Sequence, residues 1–309
     1  PIDYDYFDWQ EKNYARIIGR LENGKKVCLI DSFEPYFWAI LKPNVKEAKI
    51  KQIQEKISKI EINDKNRKIK VLKTELHNKN FLEKDVRAIK IFITNYKDAH
   101  VIADEIGMKE VDKRREYDLS YITRYIIEKK LNPLIWYKVK GELITNNDFL
   151  GINNIDADLI LKVKNIEELP QKNFLPKILA YDIEANELEI GKGEILMISL
   201  VGEAFKKVLS WKKDSKKDYV EHYKDEADML EAFVNYVKKY DPDILVGYFS
   251  DGFDLPYLRA RAEKNNMKLS LGIDNSQPIF SRGRLLTGKI KGIIHIDLLR
   301  FIKNAYSQY

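Results

Sequence analysis

Two acidic residues, Asp182 and Glu184, interrupt the otherwise apolar run ILAYDIEA. Residues i and i+2 of a β-strand point to the same face, so the two carboxylates would project side by side. On a buried strand such a pair repels itself and loses hydration, and a bound divalent cation would offset both effects. Carboxylate oxygens are hard ligands that suit magnesium or manganese. The alternative, which is more common for an isolated Asp-x-Glu, is one acid at a strand end paired with Lys or Arg.

A second acidic pair, Asp251 and Asp254, follows the apolar run DILVGYF and precedes a helical pattern. In open α/β sheets, binding sites form beyond the carboxyl ends of the strands. We therefore expect Asp254 to reach the edge of the sheet close to Asp182 and Glu184, where the three carboxylates would form a metal site. The alternative is that both acids cap the helix, and Asp251 in particular fits that role.

The elements around these acids follow a recognisable order. KILAYDIEA, EILMISLVG and KKVLSWKK predict three consecutive strands. DEADMLEAFVNYVKKY predicts a helix, DILVGYF a buried strand and LPYLRARAEKNN a second helix. RLLTGKIKGIIHID predicts a hairpin whose second strand continues into the helix LLRFIKNAY. This order is that of an α/β ribonuclease-H-like domain with a mixed sheet, which we place at residues 173–309.

Residues 1–172 have a different pattern, which predicts an α+β domain. Strands are predicted near residues 3–10, 15–21, 26–30, 32–41, 69–75 and 86–94, with a hairpin turn at ENGK. The spacing of apolar residues predicts helices within 44–62, 97–108 and 115–131. The polar, Pro-bounded sequence over 134–172 predicts only a short β extension and a linker, so we place the domain boundary near residue 172.

Length and composition narrow the class of protein. The 309 residues suit two domains, and 44% hydrophobic residues are enough to form cores. The net charge of +6 suits a phosphate-rich partner, or alternatively reflects a solvated Lys-rich surface. The single cysteine, Cys28, excludes an internal disulfide and a Cys-based zinc site, and the four histidines lack metal-ligand spacing. Without a secretory signal or an apolar run near the roughly 18 residues of a membrane span, a cytoplasmic protein with no membrane partner is expected.

Several motifs resemble those of archaeal-type family B DNA polymerases. DIE and YFSDGFDLPYL resemble the first and second exonuclease motifs of that family, and FEPYFWAIL resembles a segment of its N-terminal domain. GKGEILMISL, DPDILVGY, LRARAEK and KGIIHIDLLRFI resemble archaeal members in order and spacing. The resemblance covers essentially all 309 residues and is tightest over 178–300.

The resemblance implies two-metal 3′→5′ proofreading hydrolysis of DNA, with Mg²⁺ or Mn²⁺ as the cofactor. Asp182 would bridge both cations, Glu184 would hold the cation that activates water, and Asp254 would ligate the cation near the leaving 3′ oxygen. Phe253 is placed to pack against the frayed terminal base, or alternatively is a core aromatic under the helix. The expected partners are the single-stranded 3′ end and the template strand of DNA, the C-terminal polymerase part and, through that part, a sliding clamp.

Two departures from the family pattern affect the expected activity. Phe249 and Gly252 stand where the family usually has Asn, so a polar contact to the substrate strand is missing or replaced. The third exonuclease motif, a Tyr and an Asp three or four residues apart, is not found up to Tyr309. The palm, fingers and thumb, which hold the polymerase aspartates in the family, are not found in this sequence either. We therefore expect this chain not to synthesise DNA and to hydrolyse it poorly. The alternatives are a non-catalytic DNA-binding or assembly fragment, and a free-standing nuclease, which the polymerase-like first 170 residues disfavour.

A pocket that captures uracil in template DNA is a further expectation from the resemblance. Tyr6, Pro35, Tyr36 and Phe37 match the first two pocket-forming segments of archaeal members. The segment 96–103 is less alike, with Ala103 where an Arg is common. The alternative is that these aromatic residues are ordinary packing.

A basic segment over 281–291 is the last candidate surface. It contains Arg282, Arg284, Lys289 and Lys291, which would follow a phosphate backbone. The alternative is a hairpin edge that its charges keep from aggregating. With Phe249 and Phe253, the first three of these cations complete the set of residues expected to contact DNA.

Overall fold

A computed structural model describes residues 1–64, 67–144, 148–149, 152–212, 215–283 and 286–306. Its strands are β1 (Asp3–Trp9), β2 (Lys12–Arg20), β3 (Lys26–Asp31), β4 (Tyr36–Leu41), β5 (Glu61–Asp64), β6 (Arg67–Phe81), β7 (Lys84–Ile93), β8 (Val111–Arg115), β9 (Tyr137–Leu143), β10 (Leu159–Glu168), β11 (Ile178–Ala185), β12 (Ile195–Gly202), β13 (Phe205–Ser210), β14 (Val220–His222), β15 (Ile244–Gly247), β16 (Ile279–Arg282), β17 (Leu286–Lys289) and β18 (Ile294–Asp297). Its α-helices are α1 (Glu47–Ser58), α2 (Ala99–Glu105), α3 (Tyr121–Lys129), α4 (Glu226–Tyr240), α5 (Asp254–Lys264) and α6 (Leu298–Ala305).

The first sheet has the strand order β1-β2-β3-β10-β9. The predicted hairpin at ENGK joins β2 to β3, and Gly24 takes the left-handed φ of +81° that its turn needs. β10 runs parallel to β3 and antiparallel to β9. β9 matches the short β extension predicted over 134–172, but the prediction of a linker after it is wrong, because β10 lies there. Their Lys- and Glu-rich sequence carries a weak strand signal, and β10 is stabilised by pairing with a distant strand.

The second sheet has the order β5-β6-β7-β4-β8 and packs against α1 and α2. Ile50, Ile53 and Ile57 of α1 are buried, as the helical spacing predicts. The helix predicted over 115–131 begins later, at Tyr121, because Ser120 caps it by accepting a hydrogen bond from the Thr123 backbone N–H. Earlier in the chain, Val111–Arg115 form β8, an edge strand that pairs with β4.

The third sheet has the order β14-β13-β12-β11-β15-β18 and carries the predicted acids. β11, β12 and β13 form an antiparallel meander, whereas β15 is parallel to β11 and β18 is parallel to β15. The sheet is therefore mixed, as predicted. One of its faces packs against α4 and α5 in a core that includes Leu179, Tyr181, Phe233 and Leu258.

The basic hairpin is paired differently from the prediction. β17 pairs antiparallel with β16, and β18 leaves to join the third sheet beside β15. Among the described residues of the two segments that were predicted to pair, a single bridge joins Ile290 to Ile293. The difference arises because β18 forms a longer run of paired residues with β15 in the third sheet. The continuation of β18 into α6 agrees with the prediction.

Ion pairs connect the first sheet to the third. Arg20 of β2 donates to Asp241 and Asp243 in the segment between α4 and β15. The first two sheets draw their strands from residues 3–168 and the third from 178–297. The domain boundary at residue 172 lies between these spans and stays a prediction. Within the described residues, no helix is long and apolar enough to cross a membrane.

Candidate active site

β11 presents its two acids on the exposed side of the sheet. Leu179, Tyr181 and Ile183 are buried against the helices, and Asp182 and Glu184 alternate with them on the opposite, exposed face. The assumption that the pair lies on a buried strand is therefore wrong, and loss of hydration does not act on these two residues. The exposed position leaves both carboxylates accessible to a ligand from solvent.

Asp254 is the buried member of the set. It is the first residue of α5, its residue surface is only 3% exposed, and its Oδ1 accepts a hydrogen bond of 3.2 Å from the Ile183 backbone N–H. Burial raises the pKa of Asp254 to about 6, and the neighbouring charges of Asp182 and Asp297 add to the effect. The structure therefore places Asp254 directly beside the strand that carries the other two acids.

Asp251, in contrast, is fully engaged within the protein. Its Oδ1 accepts a hydrogen bond of 2.8 Å from the Gly288 backbone N–H and lies 3.2 Å from Nδ1 of His295. Its Oδ2 accepts from Arg300 Nη1. Burial alone would raise the pKa of Asp251, but these contacts, led by that with His295, lower it overall. Asp251 joins the turn before α5 to β17 and α6, both of its oxygens have partners within the protein, and it does not cap α5.

Ser250, His295 and Asp251 have the spacing of a hydrolytic triad. Ser250 Oγ lies 3.1 Å from Nε2 of His295, whose Nδ1 lies 3.2 Å from Asp251. Ser250 is fully buried, the His295 side chain is 1% exposed, and the Tyr181 hydroxyl shares the same Nε2 at 3.1 Å. A substrate cannot reach the serine, so acyl transfer by this triad is excluded. The three residues instead stabilise the turn that carries Asp254.

Asp297 supports the same turn and was missed as a site residue. Its Oδ1 accepts from the backbone N–H groups of Phe249 and Leu299, both at 3.0 Å, and its Oδ2 accepts from that of Asp251 at 3.1 Å. Asp297 therefore has two roles: it caps α6, and it orients the turn between β15 and α5. An acid directly before the helical run LLRF is the sequence signal for the cap, but nothing local indicates the second role.

The two aromatic residues expected at the DNA differ in exposure. Phe253 is half-buried, packs against the core and lies 5.2 Å from the Tyr257 ring, centroid to centroid. Phe249 is 50% exposed and adopts a left-handed φ of +59°. Phe253 therefore contributes at least partly to core packing, whereas the Phe249 ring is accessible at the surface.

The basic candidates are not equivalent either. Arg282 is exposed at the end of β16. Lys289 donates to the Tyr4 carbonyl at 3.0 Å, and Lys291 donates to Asp274, also at 3.0 Å. The two lysines thus make contacts within the protein, and Arg284 lies outside the described residues.

The four residues of the expected uracil pocket lie in different surroundings. The Tyr6 hydroxyl is 2.5 Å from the Tyr96 hydroxyl, and Phe37 is fully buried in the core of the second sheet. Tyr36 lines a cavity of about 290 Å³ that Tyr6, Pro35 and Phe37 do not line. The Pro35 carbonyl accepts a hydrogen bond from the Ile93 backbone. Uracil capture stays a prediction.

The carboxylates Asp182, Glu184 and Asp254 are the residues that fit a divalent metal. In the part of the chain that the structure describes, no group of three or more His, Cys, Asp or Glu side chains is already arranged to hold a metal ion. The donors are nevertheless hard oxygens on adjacent elements, and the charge of Asp182 raises the pKa of Asp254. A cation between them would relieve that repulsion, and hard oxygen donors are the ligand type that suits magnesium or manganese.

Comparisons with known proteins agree with this architecture. A family model described as DNA polymerase family B, exonuclease domain, matches residues 112–309. The chain is 33% identical to a DNA polymerase of Pyrococcus glycovorans, over 98% of this chain and 34% of that protein. It is 32% identical to a DNA polymerase of Thermococcus kodakarensis, over 98% of this chain and 16% of that protein. The chain thus spans about a third or less of the length of these relatives.

A solved structure extends the comparison to the fold. The structure of the family B DNA polymerase from the hyperthermophilic archaeon Pyrobaculum calidifontis superposes with a TM-score of 0.75 at 22% identity, covering 98% of this chain and 37% of that one. The match confirms the predicted α+β domain followed by an α/β exonuclease fold. From the family model and this fold together, we conclude that the chain belongs to DNA polymerase family B and includes that family's exonuclease domain.

Proposed function

We propose that this chain provides the 3′→5′ proofreading exonuclease and the N-terminal portion of a replicative DNA polymerase. The observation that carries the proposal is the position of Asp254, which is buried against β11 with a pKa near 6, beside the exposed acids Asp182 and Glu184. A protein gains no stability from a buried, repelled carboxylate. Metal binding at the edge of the sheet explains why it is there.

The proposed cofactor is Mg²⁺ or Mn²⁺. Two such cations would supply an activated water and stabilise the charge on the leaving 3′ oxygen. Asp182 is central in the set, because its strand neighbour Glu184 shares its face and Asp254 approaches from α5. We assign Glu184 to the water side of the site and Asp254 to the leaving-group side, as the family resemblance implies.

DNA is the proposed substrate, entering as a single-stranded 3′ end. Arg282 is exposed on the β16–β17 hairpin and would contact the phosphate backbone. Phe253 would support the terminal nucleotide from its half-buried position at the start of α5. Lys289 would contribute only indirectly, since its ammonium holds the hairpin against β1.

The remaining polymerase part is the proposed protein partner. α6 has no buried residue, and Leu298, Phe301 and Ile302 are exposed, Phe301 by 61%. An apolar helix face of this kind is typical of an interface. We propose that the C-terminal polymerase part covers it, and that contact with a sliding clamp is made through that part.

Hydrolysis of 3′-labelled single-stranded DNA in Mg²⁺ or Mn²⁺ tests the nuclease directly. We expect stepwise shortening from the 3′ end that releases deoxynucleoside monophosphates. Asp182→Ala and Asp254→Ala should lower the rate by more than about 100-fold, which exceeds the effect of changes outside the direct metal ligands. Glu231→Gln, an exposed acid on α4, is the matched control and should retain the rate.

The absence of metal-dependent hydrolysis would contradict the proposal. If no metal-dependent shortening is seen, or if Asp182→Ala leaves it intact, the chain is not a nuclease. Unchanged DNA binding in that case would favour the binding-module alternative. Activity that appears only after the C-terminal polymerase part is added would show that the site is completed by that part.

A further inference from the structure

The turn between β15 and α5 contains an aromatic residue in an unfavourable setting. Phe249 adopts a left-handed φ of +59°, which is uncommon for residues other than Gly, Asn and Asp. Its surface is 50% exposed, and Tyr248 beside it is 58% exposed. Neither the backbone conformation nor burial explains an aromatic residue at this position, so packing alone does not account for it.

The backbone of Phe249 is nevertheless held firmly. Its N–H donates to Asp297 Oδ1, and its carbonyl accepts from the N–H groups of Gly252 and Phe253, each at 3.0 Å. The same turn continues directly into Asp254 at the start of α5. The ring is thus presented from a fixed backbone next to the proposed metal site.

Gly252 makes room for this ring. A Cβ atom at residue 252 would lie 2.5 Å from Cε2 and 2.6 Å from Cζ of Phe249, which is closer than any real contact. Gly252 is not among the glycines with positive φ, so its backbone would tolerate a side chain. The glycine is therefore required by the Phe249 ring and not by the turn.

We propose that Phe249 is a stacking platform for an unpaired nucleobase at the 3′ end of the DNA strand, and that Gly252 keeps the ring in place for that role. The proposal rests on the proposed nuclease function and specifies its substrate. Where the family usually has two Asn residues, this chain would hold the strand by ring stacking in place of an amide hydrogen bond. Stacking tolerates any base and favours the larger purines, so the site should prefer frayed ends with a purine at the 3′ terminus.

A fluorescent oligonucleotide tests this assignment. The probe is single-stranded oligothymidylate with 2-aminopurine at its 3′ end, titrated with the full 309-residue chain in EDTA so that hydrolysis does not interfere. We expect quenching of the probe on binding and weaker binding of an all-thymidine strand. Phe249→Asn keeps a residue that accepts the left-handed backbone, yet it should abolish the quenching and weaken binding by about 5- to 150-fold.

A double-mutant cycle separates the ring from the rest of the turn. Gly252→Ala retains Phe249 but displaces its ring, so it should weaken binding as much as Phe249→Asn does. The double variant should be no worse than either single one, because both remove the same interaction. Phe249→Trp should retain quenching, whereas Phe249→Leu, which is apolar but not aromatic, should lose it. Circular dichroism and thermal unfolding confirm that each variant is folded.

Three results would overturn the assignment. The first is binding and quenching by folded Phe249→Asn equal to those of the wild type. The second is no binding by the wild type at all. The third is an additive loss in the double variant, which would show that the two residues act separately. If Phe249→Asn binds normally while Mg²⁺-dependent hydrolysis persists, only the stacking role fails. If quenching depends on Phe249 in a chain that never hydrolyses DNA, the stacking role stands and the nuclease function fails.

Discussion

Asp254 is a residue at which stability and the proposed function oppose each other. Its pKa in the folded chain is about 6, above the ordinary value of 3.8, because burial and then the charge of Asp182 disfavour the ionised form. Between pH 3.8 and 6 the folded chain therefore binds more protons than the unfolded chain. It follows that the free energy of unfolding decreases as the pH rises through this window.

We expect Asp254→Asn to increase the free energy of unfolding at pH 7 by on the order of 3 kcal/mol. Asparagine removes the buried charge, and its Oδ1 can still accept the hydrogen bond from Ile183. Urea denaturation at pH 7 and pH 4 provides the measurement, and the advantage of the variant should disappear at pH 4. An equal increase in the free energy of unfolding at pH 4 and pH 7 would contradict the raised pKa of Asp254. A variant that is less stable than the wild type at pH 7 would contradict it as well.

The same variant tests metal binding without an activity assay. Mg²⁺ or Mn²⁺ should raise the melting temperature of the wild type, because a ligand that binds only the folded state stabilises it. Asp254→Asn should show little of this shift, since one of the three carboxylates is missing. The expected exchange of stability for function is typical of active-site residues.

At the scale of elements, a buried ion pair joins α4 to α5. Arg261 Nε and Nη2 donate to Glu226 at 2.8 and 2.5 Å, and the same carboxylate accepts from the Ile195 backbone N–H of β12 at 2.8 Å. Burial alone would raise the pKa of Glu226, but these hydrogen bonds lower it overall. The pair therefore fixes α5, and with it Asp254, relative to the sheet.

Removing the cation of this pair should be strongly destabilising. We expect Arg261→Met to lower the free energy of unfolding by about 3–5 kcal/mol, because Glu226 would remain buried without a partner. Chemical denaturation gives the value. Lys192→Met, which breaks an exposed pair with Glu189, is the control and should barely shift the midpoint. A small effect of Arg261→Met would mean that water reaches Glu226 and that α5 is positioned mainly by apolar packing.

At the scale of the whole molecule, the N-terminal and exonuclease portions are joined by charged groups. Arg20 lies 2.5 Å from Asp241 and 2.8 Å from Asp243, and the Arg20 and Asp243 side chains are largely buried. Lys26 also contacts Asp241, and Gly292 donates its N–H to Asp3. These contacts would keep the first sheet and the candidate site on the third sheet at a constant separation.

We expect Arg20→Met to weaken the coupling between the two portions by about 3 kcal/mol, since it leaves the buried Asp243 without its cation. Differential scanning calorimetry should show the single transition of the wild type broaden or split into two. Lys172→Met, which removes an exposed pair with Glu22, should leave the profile unchanged. A single sharp transition in Arg20→Met would show that apolar contacts are sufficient for coupling.

Much of the molecule was predictable from the sequence. The apolar periodicities of β11, β12, α4, β15 and α5 are local properties, so their existence and order could be recognised without tertiary information. The same ordered motifs indicated the polymerase family, and the spacing of Asp182, Glu184 and Asp254 indicated the candidate site. β9 and β10 could not be recognised in the same way, because a parallel pairing with β3 stabilises β10 and long-range pairing leaves no local pattern.

The sequence by itself thus determined the family, the order of the main elements around the candidate site and three candidate carboxylates. Only the tertiary structure decided that Asp182 and Glu184 face solvent and that Asp254 is buried. It further decided that the Asp251 carboxylate accepts hydrogen bonds from Gly288 and Arg300. It also decided that the Phe249 ring lies over Gly252. Burial and charge at a residue depend on neighbours that are distant in the chain, and these neighbours meet only when the sheets and helices pack. The identity of the acids is therefore a property of the sequence, whereas their chemical roles arise from the fold.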